Sequence, residues 1–362
     1  MRVPGPPTTL GAVLERSVGF LRPRVVGLML SATVAAVAMS LSTIGWLQAH
    51  GISALTTAIV VGIAIGNSVY PRVASTAGTG VAFSKQTILR AGVILYGFRL
   101  TMHDISLIGI PGVIIDAVVL SSTFAIAYVL GTRIFGLDRR TAILIGAGSG
   151  ICGAAAVMAT EPIVRAKAEQ VSVAIATVVL FGTAAIFLYP VIYVACGSAA
   201  RLAVNAHAFG IYAGSTIHEV AQVFAAGRSI SEGVANTAVI TKMVRVMMLA
   251  PFLIGLSAWV GPDTGGHPVQ KRRRVGIPWF AVGFLGTVAL NSLVPIPRSI
   301  IAAVTTLDTY LLAMAMAALG LTTHVSAIRA AGPKPLILGG LLFGWLVIGG
   351  GAINLLVTTA LK

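Results

Sequence analysis

The chain has 362 residues, 57% of them hydrophobic and only 10% charged, with a net charge of +15 and a mean hydropathy of +0.95. A soluble domain carries about 25% charged residues, so this composition excludes a water-facing globular fold and points to a bilayer. The apolar residues fall in continuous runs without strict alternation, which favours spanning helices over a closed barrel.

The basic segment 1–24 lacks a short apolar core with a cleavage site. It reads as a cytoplasmic N-terminal segment ahead of a single transmembrane domain, 25–360. A crossing helix needs roughly 20 apolar residues. In chain order the expected spans are 25–48, 52–69, 87–101, 105–130, 142–160, 171–195, 207–226, 234–259, 276–293, 305–323 and 335–359, giving 10–11 transmembrane helices. The third is short enough to tilt or break. Loops are short, and the longest polar stretch is Gly261–Arg274.

With the N-terminus inside, the inner loops gather Arg2, Arg16, Arg22, Arg24, Arg72, Lys85, Arg133, Arg139, Arg140, Arg201, Lys271–Arg274, Arg329 and Lys334. The outer loops hold only Arg165, Lys167, Arg228, Arg298 and Lys362. That asymmetry predicts a cytoplasmic N-terminus. Lys271–Arg274 reads as a topology anchor, and nucleic acid is not an expected partner. Cys152 and Cys196 suggest neither a disulfide framework nor a zinc site.

Two pairs of segments repeat. From Ala147 and Ala213, seven of thirteen positions are identical through Ala159 and Ala225. Leu100–His103 (LTMH) and Leu321–His324 (LTTH) form the second pair, each after a glycine, Gly97 or Gly320. Ahead of them, AIGNSVYP at 64–71 loosely matches ALNSLVPIP at 289–297. Such repeats are common in secondary transporters. The second pair lies in the third and tenth spans, whose odd separation makes the copies antiparallel. The first pair lies in the fifth and seventh spans, which leaves a re-entrant member, a count off by one, or parallel copies.

Gly146, Gly148, Gly150 and Gly153 crowd one span around Ser149 and Cys152. Each glycine weakens a helix by about 1 kcal/mol relative to alanine, so a break is expected there. A break frees backbone groups at membrane depth, where a bound ion or solute can partner them. A resumed half-helix also offers N–H donors to an anion. Gly62–Gly66 and Gly340–Gly344 read instead as close helix contacts.

Ionisable residues at membrane depth are functional candidates. Glu219, beside His218, is a candidate proton carrier or cation ligand. Lys242 and Arg245 share a helix face and could neutralise an anionic solute, or pair structurally with Glu219. Asp116 and Arg99 could pair with each other. Glu161 reads as a cap or end of the fifth span, Arg90 reads as snorkelling, and His103, His207 and His324 read as interface histidines. The adjacent His218-Glu219 lacks the i, i+4 geometry of a zinc hydrolase, no P-loop is present, and Ser149 lacks a nucleophile-elbow context. No enzyme, cofactor or metal is expected.

The blocks GAGSGICGAAAVMATEPIV, GIYAGSTIHEVAQVFAAG, TKMVRVMMLAP and AMAALGLTTH, with the earlier GVAFSKQTILRAGVILYGFRLT, are similar to those of the YeiH-like sulfate exporter family of bacterial multi-pass membrane proteins. The likeness runs from about Gly62 to Pro335. It implies an inner-membrane, all-α secondary transporter resembling the sodium/proton antiporter and bile-acid symporter class, with inverted repeats and glycine-broken helices. The implied solute is sulfate or a related sulfur anion. The family pattern carries a serine in the stretch that here reads Cys152–Ala156.

The combined expectation is a carrier for a small anion. Gly148, Ser149, Gly150, Cys152, Ser215, Lys242 and Arg245 would bind the solute. His218, Glu219 and Gln222 would couple H+ or Na+. A homo-oligomer remains open. The alternative is a passive anion channel, or an intramembrane protein without transport activity.

Overall fold

The structure, a computed structural model, describes residues 23–44, 53–199, 205–260 and 279–361. The segment 1–22, Arg201 and Lys271–Arg274 lie outside the described residues. Among the described residues all regular structure is helical. Among the described residues five helices are long and apolar enough to cross a membrane: Gly109–Ile134, Ala168–Cys196, Glu232–Val260, Arg298–Leu321 and Pro333–Ala360.

The chain runs through α1 (Val25–Leu41), α2 (Ala54–Gly66) and α3 (Tyr70–Phe83), then through a π-helical turn, Ser84–Ile88, into α4 (Leu89–Tyr96). There follow α5 (Met102–Ser106), α6 (Gly109–Val129), α7 (Arg139–Gly150), α8 (Ala154–Val164), α9 (Ala168–Ala199), α10 (Ala206–Thr216), α11 (Val220–Arg228), α12 (Glu232–Met247) and α13 (Leu249–Val260). The last four are α14 (Trp279–Leu293), α15 (Arg298–Leu321), α16 (Val325–Ala331) and α17 (Pro333–Ala360). Their starts follow local capping chemistry. Ser53 accepts from Thr56 N, Asp138 from Arg140 N, Asn205 from His207 N and Ser231 from Val234 N.

One expected span is too short. The span at 87–101 is the second half of a helical path that begins at Tyr70 and ends in a 3-10 turn at Gly97–Arg99. Its first half contains Pro71, Arg72, Ser75, Thr76 and Thr79, which a search for apolar runs passes over. A helix satisfies its own backbone whatever its side chains.

The helices pack in two groups. The first holds α1, α2, α3, α4, α14 and α15. The second holds α6–α13 and α17. Close approach within the first group needs glycine: a Cβ on Gly320 would lie 2.4 Å from Ile59 O, and one on Gly62 would lie 2.5 Å from Ala317 O. Gly62–Gly66 is therefore a packing contact. Gly344, by contrast, faces open space, so Gly340–Gly344 is not a matching one.

The LTMH and LTTH segments are held reciprocally. Asn67, at the end of α2, donates to Thr323 O at 2.9 Å and accepts from Val325 N at 3.0 Å. Asn291, near the end of α14, donates to Leu100 O at 3.0 Å, and its neighbour Ser292 accepts from Met102 N at 2.8 Å. Each copy of the weakly similar 64–71 and 289–297 segments thus caps the link belonging to the other copy.

Candidate functional site

Both glycine-serine segments are broken. The first helix stops at Gly150, passes through Ile151 (φ −123°, ψ −83°) and Gly153 (φ 70°, ψ −137°), and resumes at Ala154. Only glycine takes the Gly153 conformation without strain. The second stops at Thr216, runs extended through Ile217 (φ −71°, ψ 148°) and Glu219 (φ −113°, ψ 151°), and resumes at Val220. A single helix, α9, separates the two broken helices in the chain.

The last carbonyls of α7 and α10 lack intrahelical partners. They meet two cations on one face of α12. Lys242 Nζ donates to Ile151 O at 2.7 Å and to Ile217 O at 2.6 Å. Arg245 Nε donates to Gly150 O at 2.7 Å, Nη2 to Ser149 O at 3.3 Å, and Nη1 to Ser215 O. Ile151 and Ile217 are equivalent positions in the repeat, as are Ser149 and Ser215. Both cations are fully buried. Charge at membrane depth is costly, and here the negative ends of two helix dipoles compensate it. Neither cation forms an ion pair with Glu219. Much of the expected solute countercharge is therefore already committed to backbone.

The opposite ends of the breaks meet at Glu219. Its Oε1 accepts from Ala154 N, the first residue of α8, at 3.1 Å. The same side chain caps α11 in a capping box, and Glu219 N donates to Gln222 Oε1 at 3.0 Å. One carboxylate thus serves two helix N-termini, the position that favours negative charge. Gly153 makes room for it: a Cβ there would lie 2.3 Å from Glu219 Cγ.

Several buried polar atoms around the breaks have no hydrogen-bond partner among the described residues: Ser149 Oγ, His218 Nδ1, Gln222 Nε2 and both carboxylate oxygens of Asp116. Asp116, on α6, is fully buried and within Coulombic reach of Arg245 and Lys242. Ser215 Oγ is committed, donating to Tyr212 O and accepting from Asn354 Nδ2, each at 3.1 Å. Cys152 is buried near Lys242 and Glu219. A Cβ on Gly148 would meet Val157 and Val178, so that glycine serves packing; Gly150 approaches Leu120 O on α6.

The partner of Arg99 is Asp308, not Asp116. Arg99 Nε donates to the fully buried Asp308 carboxylate at 2.9 Å, and Nη2 to Thr305 O and Thr309 Oγ1, each at 2.7 Å. Sequence reasoning passed over Asp308, which lies in the fourth residue of its expected span. Among the histidines, His324 stacks on Tyr70 with centroids 5.9 Å apart, and His207 Nδ1 lies 3.4 Å from Thr237 Oγ1. Arg90 sits over the Phe280 ring.

Three layers cross the junction between the two helix groups. At one end Tyr96 OH donates to Asn236 Oδ1 at 2.6 Å, Arg99 lies 3.6 Å from Glu232, and Thr56 Oγ1 meets Ser229 Oγ at 3.1 Å. In the middle Tyr96 packs edge-on against Phe224, next to a void of about 10 Å³ that Val93, Val220 and Leu312 also line. At the other end is a cleft of about 190 Å³, lined by Lys85, Ser172, Val179, Thr322, Thr323 and His324 among others. Lys85 and Arg99 are fourteen residues apart, about 21 Å along a helical path at 1.5 Å per residue.

A family model described as conserved hypothetical protein 698 matches residues 26–339. The UPF0324 membrane protein PA5383 of Pseudomonas aeruginosa is 59% identical over 330 residues, covering 91% of this chain and 93% of that protein. The UPF0324 inner membrane protein YeiH of Escherichia coli K12 is 53% identical over 335 residues, covering 92% and 95% respectively. No solved structure matches the chain.

Proposed function

The chain belongs to the UPF0324 family of membrane proteins, which includes YeiH, and we propose that it is a secondary transporter of a small oxyanion such as sulfate. The observation that carries this reading is the convergence of two helix breaks on one carboxylate and two cations. Discontinuous helices of this kind place N–H donors and carbonyls at mid-membrane, where a transported solute can use them.

The solute would bind at the paired N-termini of α8 and α11. There Glu219 acts as a tethered anion that holds the donors until a solute displaces it. Protonation of Glu219 removes its charge and releases Ala154 N–H, so an oxyanion and a proton travel together. Gln222 Nε2 and His218 Nδ1 are further bare donors or acceptors at this point. The capping-box bond from Glu219 N fixes the Gln222 oxygen inward and leaves its amide nitrogen for the solute. Lys242 and Arg245 hold the breaks together and supply a positive field from behind. Asp116 balances part of that charge. Na+ takes the place of the proton if coupling proves sodium-dependent.

In the same reading all eleven expected elements span the bacterial inner membrane with the N-terminus in the cytoplasm. The α2–α4 and α14–α15 segments are then an inverted repeat, which the reciprocal Asn67 and Asn291 contacts support. The two helix groups rock against each other across the junction to expose the site alternately.

Purified protein in proteoliposomes, given radiolabelled sulfate and an imposed proton or sodium gradient, tests this. Saturable, gradient-dependent flux is expected. Conductance that ignores the gradient would make the protein a channel, and no flux with any sulfur oxyanion would remove the assigned substrate.

A further inference from the structure

The cleft between the helix groups holds a charge that the helix breaks do not use. Lys85 lines it from the π-helical turn Ser84–Ile88. Such turns widen a helix by one residue and recur at functional sites. Lys85 is half-buried and has no ion pair among the described residues. Its neighbour Ser84 is fully buried, with a hydroxyl that has no partner among the described residues.

Facing Lys85 are Thr322, Thr323 and His324, which follow the end of α15. The negative end of α15 does not consume the lysine charge. Its final carbonyls accept from Thr322 and Thr323: Thr322 Oγ1 donates to Ala318 O at 3.0 Å, and Thr323 Oγ1 to Leu319 O at 2.8 Å. Both threonine hydroxyl protons are thereby spent on the helix end, so the donors left among the lining side chains are Lys85, Ser172 and His324. The lining contains no acidic residue.

The third wall is α9, with exposed Ser172 at the mouth and Val179 deeper in. Three residues beyond Val179 is Gly182, where a Cβ would lie 2.7 Å from Gln222 Nε2. One helical turn, about 5 Å, therefore separates the cleft wall from the amide beside Glu219. The far end of the junction, at Arg99, Tyr96 and Glu232, is tied shut.

We propose that the cleft formed by Lys85, Ser172, Thr322, Thr323 and His324 is an entry site that concentrates small inorganic oxyanions, distinct from the helix-break centre and leading into it. It rests on the transporter reading only for where the anion goes next. Lys85 attracts the anion, the Ser172 hydroxyl and the His324 imidazole N–H donate to its oxygens, and a lining without acid among the described residues offers no countercharge to cations.

The test measures the electrostatics of the cleft without measuring flux. Ser172→Cys is made in a Cys196→Ser background, since Cys196 is exposed whereas Cys152 is buried. The thiol is then reacted with an anionic sulfonatoethyl thiosulfonate and with its cationic trimethylammonium counterpart. The anionic reagent is expected to react about tenfold faster than the cationic one, after correction for their rates with free thiol. Lys85→Gln should bring the ratio close to one, Lys85→Arg should keep it, and sulfate should slow labelling only where the charge is kept. Equal rates in the parent, a ratio indifferent to Lys85→Gln, or labelling that sulfate leaves unchanged would each overturn the entry site. Because no transport is read, this result and the flux result can fail separately.

Discussion

Two cationic sites, one half-buried at Arg99 and one fully buried at Lys242 and Arg245, solve the same problem by different means. Arg99 is neutralised by an acid, Asp308, with two further bonds to Thr305 and Thr309. Lys242 and Arg245 are neutralised mainly by backbone, through five donations to carbonyls at the ends of two half-helices. A side-chain pair holds two helices at one point. A pair of cations on helix ends holds two chain breaks, and so makes interrupted backbone stable at membrane depth. In the proposed mechanism Lys242 and Arg245 accordingly hold the breaks together, and Glu219 is the charge that moves.

Arg245→Ala probes this difference most severely. It strands the carbonyls of Ser149, Gly150 and Ser215, and the expected loss is about 5 kcal/mol or more, read as failure to fold or a collapsed melting midpoint in detergent. Asp308→Ala leaves Arg99 with Thr305 O, Thr309 Oγ1 and the rim carboxylate of Glu232, 3.6 Å away, so a smaller loss of about 3 kcal/mol is expected. If Asp308→Ala proved the more damaging, the ranking of backbone over side-chain compensation would be reversed.

Gly153→Ala comes next. It forces a side chain into a left-handed conformation, at about 1–3 kcal/mol, and drives Glu219 off the N-terminus of α8. Its signature is a loss of flux larger than its shift in melting midpoint would explain. The smallest effect is expected from Glu232→Gln, at the solvent-facing rim of the Arg99 site. With a side chain 61% exposed, it should change stability by about 0.5 kcal/mol or less, measured by chemical denaturation in detergent.

The sequence contained the class of molecule and the places where its helices break, because glycine clusters and buried charge are both local signals. It also showed that Lys242 and Arg245 share a face. It did not reveal what that face meets. The acceptors are backbone carbonyls, which every residue has, so no side chain advertises them. Asp116 was weighed as a partner of Arg99 because both stood inside spans; the actual partner, Asp308, sat too near a span start to attract notice. The long path from Tyr70 was missed for a related reason. Its first half packs through Tyr70, Ala77, Gly80 and Val81 and leaves Pro71, Arg72, Ser75, Thr76 and Thr79 exposed, so a search for continuous apolar runs passes over a helix that is apolar on one face only. Glu219 was legible as a buried acid, but its service to the N-termini of both α8 and α11 depends on Gly153, sixty-six positions earlier in the chain.

The central claim is that Glu219 is a displaceable anion at the joined helix N-termini. Its most direct test is the pH dependence of sulfate counterflow in proteoliposomes, compared between the parent protein and Glu219→Gln. Parent flux should rise as the medium is acidified, and the variant, neutral at every pH, should exchange sulfate at a rate that ignores pH and drives no proton movement. A variant that retains the parent's pH dependence, or proton-coupled flux undiminished by the substitution, would contradict the account.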